Sequence, residues 1–427
     1  MTQIHNGSDT RQPERILLAA MKEGTMFTRL LFVTILLANG SWTWQVATAE
    51  PPSPGHRAEV LRAIGRGNEY LLKAQNKDGS WGSARNTKDL NIYAPVPGAH
   101  HAFRSAVTSL CLSALLEQTP TDDARIQAAI DRGETWLLRE LPRLRRATPD
   151  ALYNIWGHGY ALTTLSQLHH RRDGDSEAQA KLLKLAQLQL KRLQDYESVD
   201  GGWGYYDFKY QSRRPTTDAT PFMTATVLVG LDDAKKIGLE VPKDLSQRAI
   251  DSILRQQKTD LSYFYGEYLK NRPMQGINRP GGSLGRSQAC NIALRRWHDS
   301  SVTNELIKTW LQRLLDRNGW LDMGRKRPIP HESHMQVAGY FYYFGHFYAG
   351  LCIEALPENE RSQFQPGLAQ LMIDRQETDG SWWDYPLYDY HQQYGTAFAI
   401  MTLLRCLPDD PGAIKATPET TAPVTNS

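Results

Sequence analysis

Gln75-Asn76-Lys77-Asp78-Gly79-Ser80-Trp81 is the stretch that decides the fold, because the chain writes it again. One copy runs from Gln194 to Asp200-Gly201-Gly202-Trp203, and another is Gln376-Glu377-Thr378-Asp379-Gly380-Ser381-Trp382. Each copy ends an amphipathic helical stretch and precedes an apolar one, and the copies are spaced by multiples of about sixty residues. A fixed period of this kind marks a fold that stacks one supersecondary unit. Asp-Gly supplies a tight turn in which glycine takes a left-handed backbone and ends the helix. The glutamine is suited to bond backbone groups left free at that end, and the indole covers apolar surface while donating its N–H. These residues therefore read as staples between repeats.

Weaker copies fill the gaps. Gly67 and Tyr70-Leu71-Leu72 are echoed by Gly133 and Trp136-Leu137-Leu138, with Leu141 in the place of the glutamine. A fourth unit reads Gln256-Gln257 without its tryptophan, and a fifth reads Trp310-Leu311 followed by Asn318-Gly319-Trp320. The count is six. Each linker leads into a second helix of small and apolar residues, expected at 106–116, 157–168, 224–231, 287–297, 345–356 and 395–407. Their early turns are rich in Ala, Gly and Thr, which suits an inner ring of crowded helices, while the helices that end in the motif carry more charge and suit an outer ring. The pattern predicts an all-α double ring of six hairpins and about twelve helices.

Gly67, Tyr70, Leu71, Gln75, Gly79 and Trp81 together resemble the QW repeat of squalene-hopene cyclases. Residues 57–408 as a whole resemble the squalene cyclase and protein prenyltransferase repeat superfamily, most closely from Tyr342 to Leu407. The resemblance implies an α/α toroid with a central cavity. Such cyclases protonate an alkene with an Asp-x-Asp-Asp cluster, and this chain has none; its nearest approach is Asp173-Gly174-Asp175-Ser176. The prenyltransferase branch holds zinc with Asp, Cys and His, and Asp389-Tyr390-His391-Gln392-Gln393-Tyr394 is similar to the stretch with its histidine. The Asp-x-Cys pair is missing, since Ser109, Gln288, Gly350 and Leu404 stand two before the cysteines. Cys352-Ile353-Glu354-Ala355 likewise lacks the glutamine of a complement-type thioester, and His331-Glu332-Ser333-His334 misses zincin spacing. No metal set and no cofactor follow.

The 427 residues are 41% apolar and 10% aromatic, enough for one large core, and the formal charge of +3 is too small to argue for nucleic acid. Residues 1–49 read as a signal peptide: Lys22 and Arg29 precede the apolar run 30–38, and Ala47-Thr48-Ala49 supplies a cleavage site. Met21 or Met26 fits the true start, and an uncleaved anchor is the competing reading. Residues 50–56 read as a Pro-rich spacer and 409–427 as a disordered tail. Export to the periplasm or beyond is the expectation, with no stable membrane span after cleavage. Cys111, Cys290, Cys352 and Cys406 all fall in inner helices and are expected as buried free thiols.

Polar residues near the starts of inner helices are the expected cavity lining: His101, His158, Gln288, His346, His391 and Tyr394. Repeat alignment sets His158 over His346, as a pair facing across the ring. Three readings of function stand. One is a non-cyclising toroid that binds an isoprenoid-like lipid or a peptide. Another is an enzyme on polysaccharides, hydrolase or lyase, for which Asp207, Asp218, Asp384 and Asp389 are the available carboxylates. A terpenoid cyclase or prenyltransferase with an unrecognised site is a third. A carbohydrate or an isoprenoid suits an aromatic-lined cavity equally well.

Overall fold

A computed structural model describes residues 54–88, 97–209 and 214–407. The expected signal peptide, most of the spacer and the tail lie outside them. Helix α1 (Pro54–Ala74) leads into α2 (Pro97–Leu116), α3 (Ala124–Glu140) into α4 (Asn154–Arg171), and α5 (Ser176–Tyr196) into α6 (Pro221–Lys235). Then α7 (Lys243–Arg255) leads into α8 (Leu284–Arg296). Helix α9 (Asn304–Asp316) passes through the single turn α10 (Gly319–Asp322) into α11 (Phe341–Glu354). After a second short helix, α12 (Glu358–Arg361), α13 (Gln365–Ile373) leads into α14 (His391–Arg405). No strand occurs among the described residues.

The inner helices α2, α4, α6, α8, α11 and α14 pack in that order, and α14 returns to α2, so the ring is closed. Outer helices sit in the seams: α3 packs on α2, α5 on α4, α7 on α6, α9 on α8 and α1 on α14. Inner helices bury almost every side chain, which demands small residues where two backbones meet. At the α8–α11 contact, a Cβ built on Gly345 would lie 2.6 Å from the Cα of Gly285. The inner helices begin earlier than their apolar runs, at Pro97 instead of residue 106 and at His391 instead of 395. Their first turns carry polar and aromatic side chains, which an apolar-run criterion passes over.

The motif closes the first, third and sixth hairpins by the same bonds. The indole N–H of Trp81, Trp203 and Trp382 donates to the carbonyls of Leu71, Leu193 and Met372, at 2.8, 2.8 and 2.7 Å. Their backbone N–H groups donate to the hydroxyls of Thr108, Thr224 and Thr396 on the following inner helix, at 3.1, 2.9 and 3.0 Å. The outer helix end is thereby tied to the next inner helix. Gly79, Gly201 and Gly380 have φ of 94°, 87° and 88°. A Cβ on them would stand 2.2, 2.5 and 2.5 Å from the carbonyl oxygens of Arg132, Arg248 and Arg66 on the neighbouring outer helix. Gln376 Nε2 donates to Ala63 O at 2.9 Å, which with the Gly380–Arg66 contact joins the sixth repeat to the first.

Three assignments change. In the third repeat the place of Gln75 is taken by Glu197, six residues before Trp203, whereas Gln194 lies inside α5. Glu197 receives Arg248 Nε at 2.7 Å as Gln75 receives Arg132 Nε at 3.1 Å. Gly201, not Gly202, is the counterpart of Gly79, and Gly202 follows it with φ 75°. The fourth repeat has an aromatic after all: Tyr263 N–H donates to Ser283 Oγ at 3.1 Å, and Leu261 holds the glycine position at φ 61°. In the fifth, Gly319 and Trp320 make no such turn. They lie in α10, where Trp320 is half-buried and stacks on His334 at 5.4 Å.

Gly380→Ala is expected to cost about 2–4 kcal/mol, from a left-handed penalty plus contact with a rigid carbonyl, measured by urea unfolding. A loss under about 1 kcal/mol would show that α13 and α1 yield at this seam. Leu261→Gly is expected to gain about 0.5–1 kcal/mol in the same assay, since the backbone there already sits where glycine is unstrained.

Candidate functional site

Where the inner helices begin, their first turns and the linkers that enter them surround a chamber of about 310 Å³. Sixteen of its twenty-one lining residues are Phe, Tyr or Trp, and none of the lining side chains, among the described residues, is a carboxylate, Lys or Arg. Helix α4 contributes Trp156 and Tyr160, stacked at 5.8 Å; Phe222 of α6 meets Phe341 of α11 edge-on at 5.0 Å; Phe398 of α14 and Phe103 of α2 complete the wall. Rings in such edge-on and offset arrangements present both faces and edges to the space they enclose. The linkers add hydroxyls. Tyr205 OH bonds to Tyr265 OH, Tyr265 OH lies 3.2 Å from Tyr340 OH, and Tyr153 OH lies 2.6 Å from Tyr206 OH.

Leu110 and Tyr160 also line a second chamber, of about 510 Å³, at the opposite ends of the inner helices. That chamber carries charged side chains of both signs, with Arg296 paired to Asp233 at 2.9 Å and Arg405 to Glu117 at 2.6 Å. Tyr160 belongs to the partition between the two.

The polar residues expected to line the cavity mostly face the outer ring instead. His158 Nδ1 lies 2.8 Å from Gln189 Oε1 of α5. His346 Nδ1 is 2.6 Å from Tyr342 O, and its Nε2 is 2.6 Å from Asn318 Nδ2. Both are fully buried, and burial lowers each imidazole to about 4, so they are neutral staples and do not confront each other across the ring. Gln288 Nε2 donates to Trp310 O at 2.8 Å, tying α8 to α9. His101 Nε2 stands 3.6 Å from Glu140 at the end of α3. His391 Nδ1 sits 2.5 Å from Tyr388 O, with its ring against Trp383. Of the six, Tyr394 is in the chamber wall.

The carboxylates are likewise committed. Asp207 and Asp218 are brought together on one hydroxyl, Thr216 Oγ1, at 2.7 and 3.2 Å, and Asp207 also holds Arg146 at 3.0 Å. Both are buried within their linker. Asp389 receives Ser83 Oγ at 2.9 Å, across the seam between the last and first repeats. Asp384 accepts from Tyr394 OH at 2.6 Å and from the Tyr343 N–H at 3.0 Å, capping α11 from a distant linker. Burial is the leading cause that pushes Asp384 up to about 7. Among the described residues no three His, Cys, Asp or Glu gather as a metal set. All four cysteines are buried and free.

Several wall residues escaped the sequence reading: Trp156, Phe222, Tyr265, Tyr268, His331 and Phe398. Tyr265 had a usable signal, because it stands two residues after Tyr263 as Tyr205 stands two after Trp203. His331 had none. It lies in the long linker before α11, at φ 66°, in a loop whose backbone no pattern predicts.

A closed α/α toroid with an aromatic chamber at the N-terminal ends of its inner helices is thus defined. Residues 45–270, more than half of the chain, match the family described as squalene-hopene cyclase C-terminal domain, and the chain belongs to that family. A probable squalene–hopene cyclase of Sinorhizobium fredii is 28% identical over 188 residues, which are 42% of this chain and 27% of that protein. The match spans about a quarter of that relative's length. Among solved structures, a D-mannose isomerase is similar with a TM-score of 0.52 at 14% identity, covering 82% of this chain and 99% of its own. An unsaturated glucuronyl hydrolase specific for heparin has 0.52 at 12%, covering 82% and 96%. A type II terpene cyclase from Scytonema has 0.48 at 12%, covering 84% and 99%. At 14% and 12% identity the likeness to the isomerase and the hydrolase shows the fold alone.

Asp384 supplies a pH test. Its folded pKa is raised from 3.8 to about 7, so between those values the folded chain binds the extra proton, and stability falls as pH rises through that window. Asp384→Asn keeps a neutral group and an acceptor for Tyr394. Its melting temperature relative to the native chain is expected to rise from about pH 4 to about pH 7 and then level off. A difference independent of pH would mean that Asp384 stays ionised throughout.

Proposed function

We propose that this protein holds an isoprenoid-like lipid in its aromatic chamber and does not carry out proton-initiated cyclisation. The observation that carries the reading is the wall itself, sixteen aromatic side chains and no charged one among the described lining residues. Such a surface favours a branched, unsaturated hydrocarbon, which gains from burial and from contact with ring faces. The chamber volume of about 310 Å³ is at the low end of small-molecule sites, roughly 300–1,000 Å³, and suits a few isoprene units better than a triterpene. Protonating an alkene needs a strong acid aimed into the chamber. The Asp-x-Asp-Asp cluster is absent from the 427 residues, and Asp384, held near 7, is a weak acid behind Tyr394.

The polysaccharide reading is less well supported. A hydrolase needs two carboxyl groups facing one cleft, and Asp207, Asp218, Asp384 and Asp389 are tied into linkers, none of them in the chamber wall. The reading also takes residues 1–49 as an export signal, so that the chamber meets its ligand outside the cytoplasm.

Farnesene, a fifteen-carbon hydrocarbon, is the first probe. It is expected to bind saturably, one molecule per chain, by gas chromatography of the protein-bound fraction. Ala106 of α2 lines the chamber, and Ala106→Phe is expected to weaken that binding at least about tenfold with the fold intact by circular dichroism. Equal binding by the two proteins, or none by the native chain, would sink the reading.

A further inference from the structure

The chamber is apolar except at one place. Tyr205, Tyr265 and Tyr340 come from the linkers of three successive repeats, yet their hydroxyls meet: Tyr205 with Tyr265, and Tyr265 with Tyr340 at 3.2 Å. All three residues line the chamber, and so does His331, whose ring stands edge-on to Tyr265 with centroids 5.2 Å apart. Each phenol carries one proton and two lone pairs. The bonds among the three therefore leave acceptor positions over, and each O–H is able to turn toward a new partner.

His331 adds a fixed polarity. Its Nδ1 lies 2.7 Å from the carbonyl oxygen of Gln336. A carbonyl only accepts, so Nδ1 carries the proton and Nε2 carries a lone pair while the ring is neutral. Burial keeps the ring in that state, by lowering its pKa below the ordinary value. The cluster thus offers phenolic donors beside an imidazole acceptor.

A buried cation stands against the cluster without lining the space. Arg286 is buried with its guanidinium over the face of Tyr265 at 5.5 Å. Its N–H groups donate to the carbonyls of Gly282, Tyr263 and Ile277, at 2.9, 3.0 and 2.6 Å. Both Nη groups thus hold the backbone that shapes the linker, while Nε is buried without a hydrogen-bond partner. A diphosphate in this chamber would give up its hydration with no lining Lys or Arg, among the described residues, to replace it.

We propose that Tyr205, Tyr265, Tyr340 and His331 form a subsite for a neutral hydroxyl, and that the lipid held in the chamber is an isoprenoid alcohol. The ligand O–H donates to a lone pair of the cluster and its oxygen accepts from a phenol, while the hydrocarbon chain lies against the rings. This rests on the reading of the chamber as a lipid site and adds the head group.

Four probes of one chain length separate the two claims: farnesol, farnesyl methyl ether, farnesyl diphosphate and farnesene, each titrated against the intact protein by equilibrium binding. Farnesol is expected to bind about fivefold more tightly than the ether, which keeps the oxygen and loses the donor, and at least about tenfold more tightly than the diphosphate. In a Tyr265→Phe, Tyr340→Phe double variant the preference for farnesol over the ether is expected to fall to near unity, and farnesol affinity to fall by a larger factor than farnesene affinity. Tyr205→Phe alone is the second variant, expected to reduce the same ratio. Farnesene binding with no preference for farnesol, or with tighter binding of the diphosphate, overturns the head-group assignment and leaves the lipid chamber standing. Binding of none of the four overturns both.

Discussion

Four of the six hairpins depend on one junction, in which a motif aromatic is held by its backbone N–H at the start of the next inner helix or within it and, in the three tryptophan repeats, by its indole N–H on its own outer helix. The two bonds satisfy buried donors that would otherwise each cost on the order of 1–3 kcal/mol. They also set the angle at which an inner helix leaves its linker. Because the linkers carry Tyr205, Tyr265 and Asp384 at the same offset of two residues from that aromatic, the junction decides what reaches the top of the central space. Where the residue is tyrosine, a ring enters the chamber; where it is Asp384, a carboxyl caps α11 and fixes Tyr394.

The architecture was legible because the signal repeats: three copies of Asp-Gly with a tryptophan, with regular helices between them, leave few alternatives to stacked hairpins. Where copies drift, the sequence misled in an understandable way. Gln194 was chosen for its identity, although distance from Trp203 selects Glu197, which does the same work on Arg248. The fourth repeat looked empty because Tyr263 replaces the indole and Leu261 the glycine.

The site was harder to read. An inner helix is buried on every side, so periodicity does not tell which face looks inward and which meets the outer ring. A polar residue on such a helix is as well used for a helix-to-helix bond as for a ligand, and His158, Gln288 and His346 are used in the first way. Aromatic residues of the linkers and first helical turns make the wall instead, Tyr205, Tyr206, Tyr340, Phe341, Phe344, Tyr385 and Tyr394 among them. The remainder, Trp156, Phe222 and Phe398 among them, lie on single helical turns that only closure of the ring brings together.

Closure also imposes an order in time. Gln376 bonds to Ala63, and Arg66 to the carbonyl of Glu377, across separations of 313 and 311 residues. The flank of α1 that these contacts cover is made 311 to 313 residues before its partner and finds it only when the last hairpin emerges. At about 5–20 residues per second, that interval is on the order of 15–60 s. Throughout it, the first repeat exists as an unfinished edge, and the ring is completed when the first and last repeats meet.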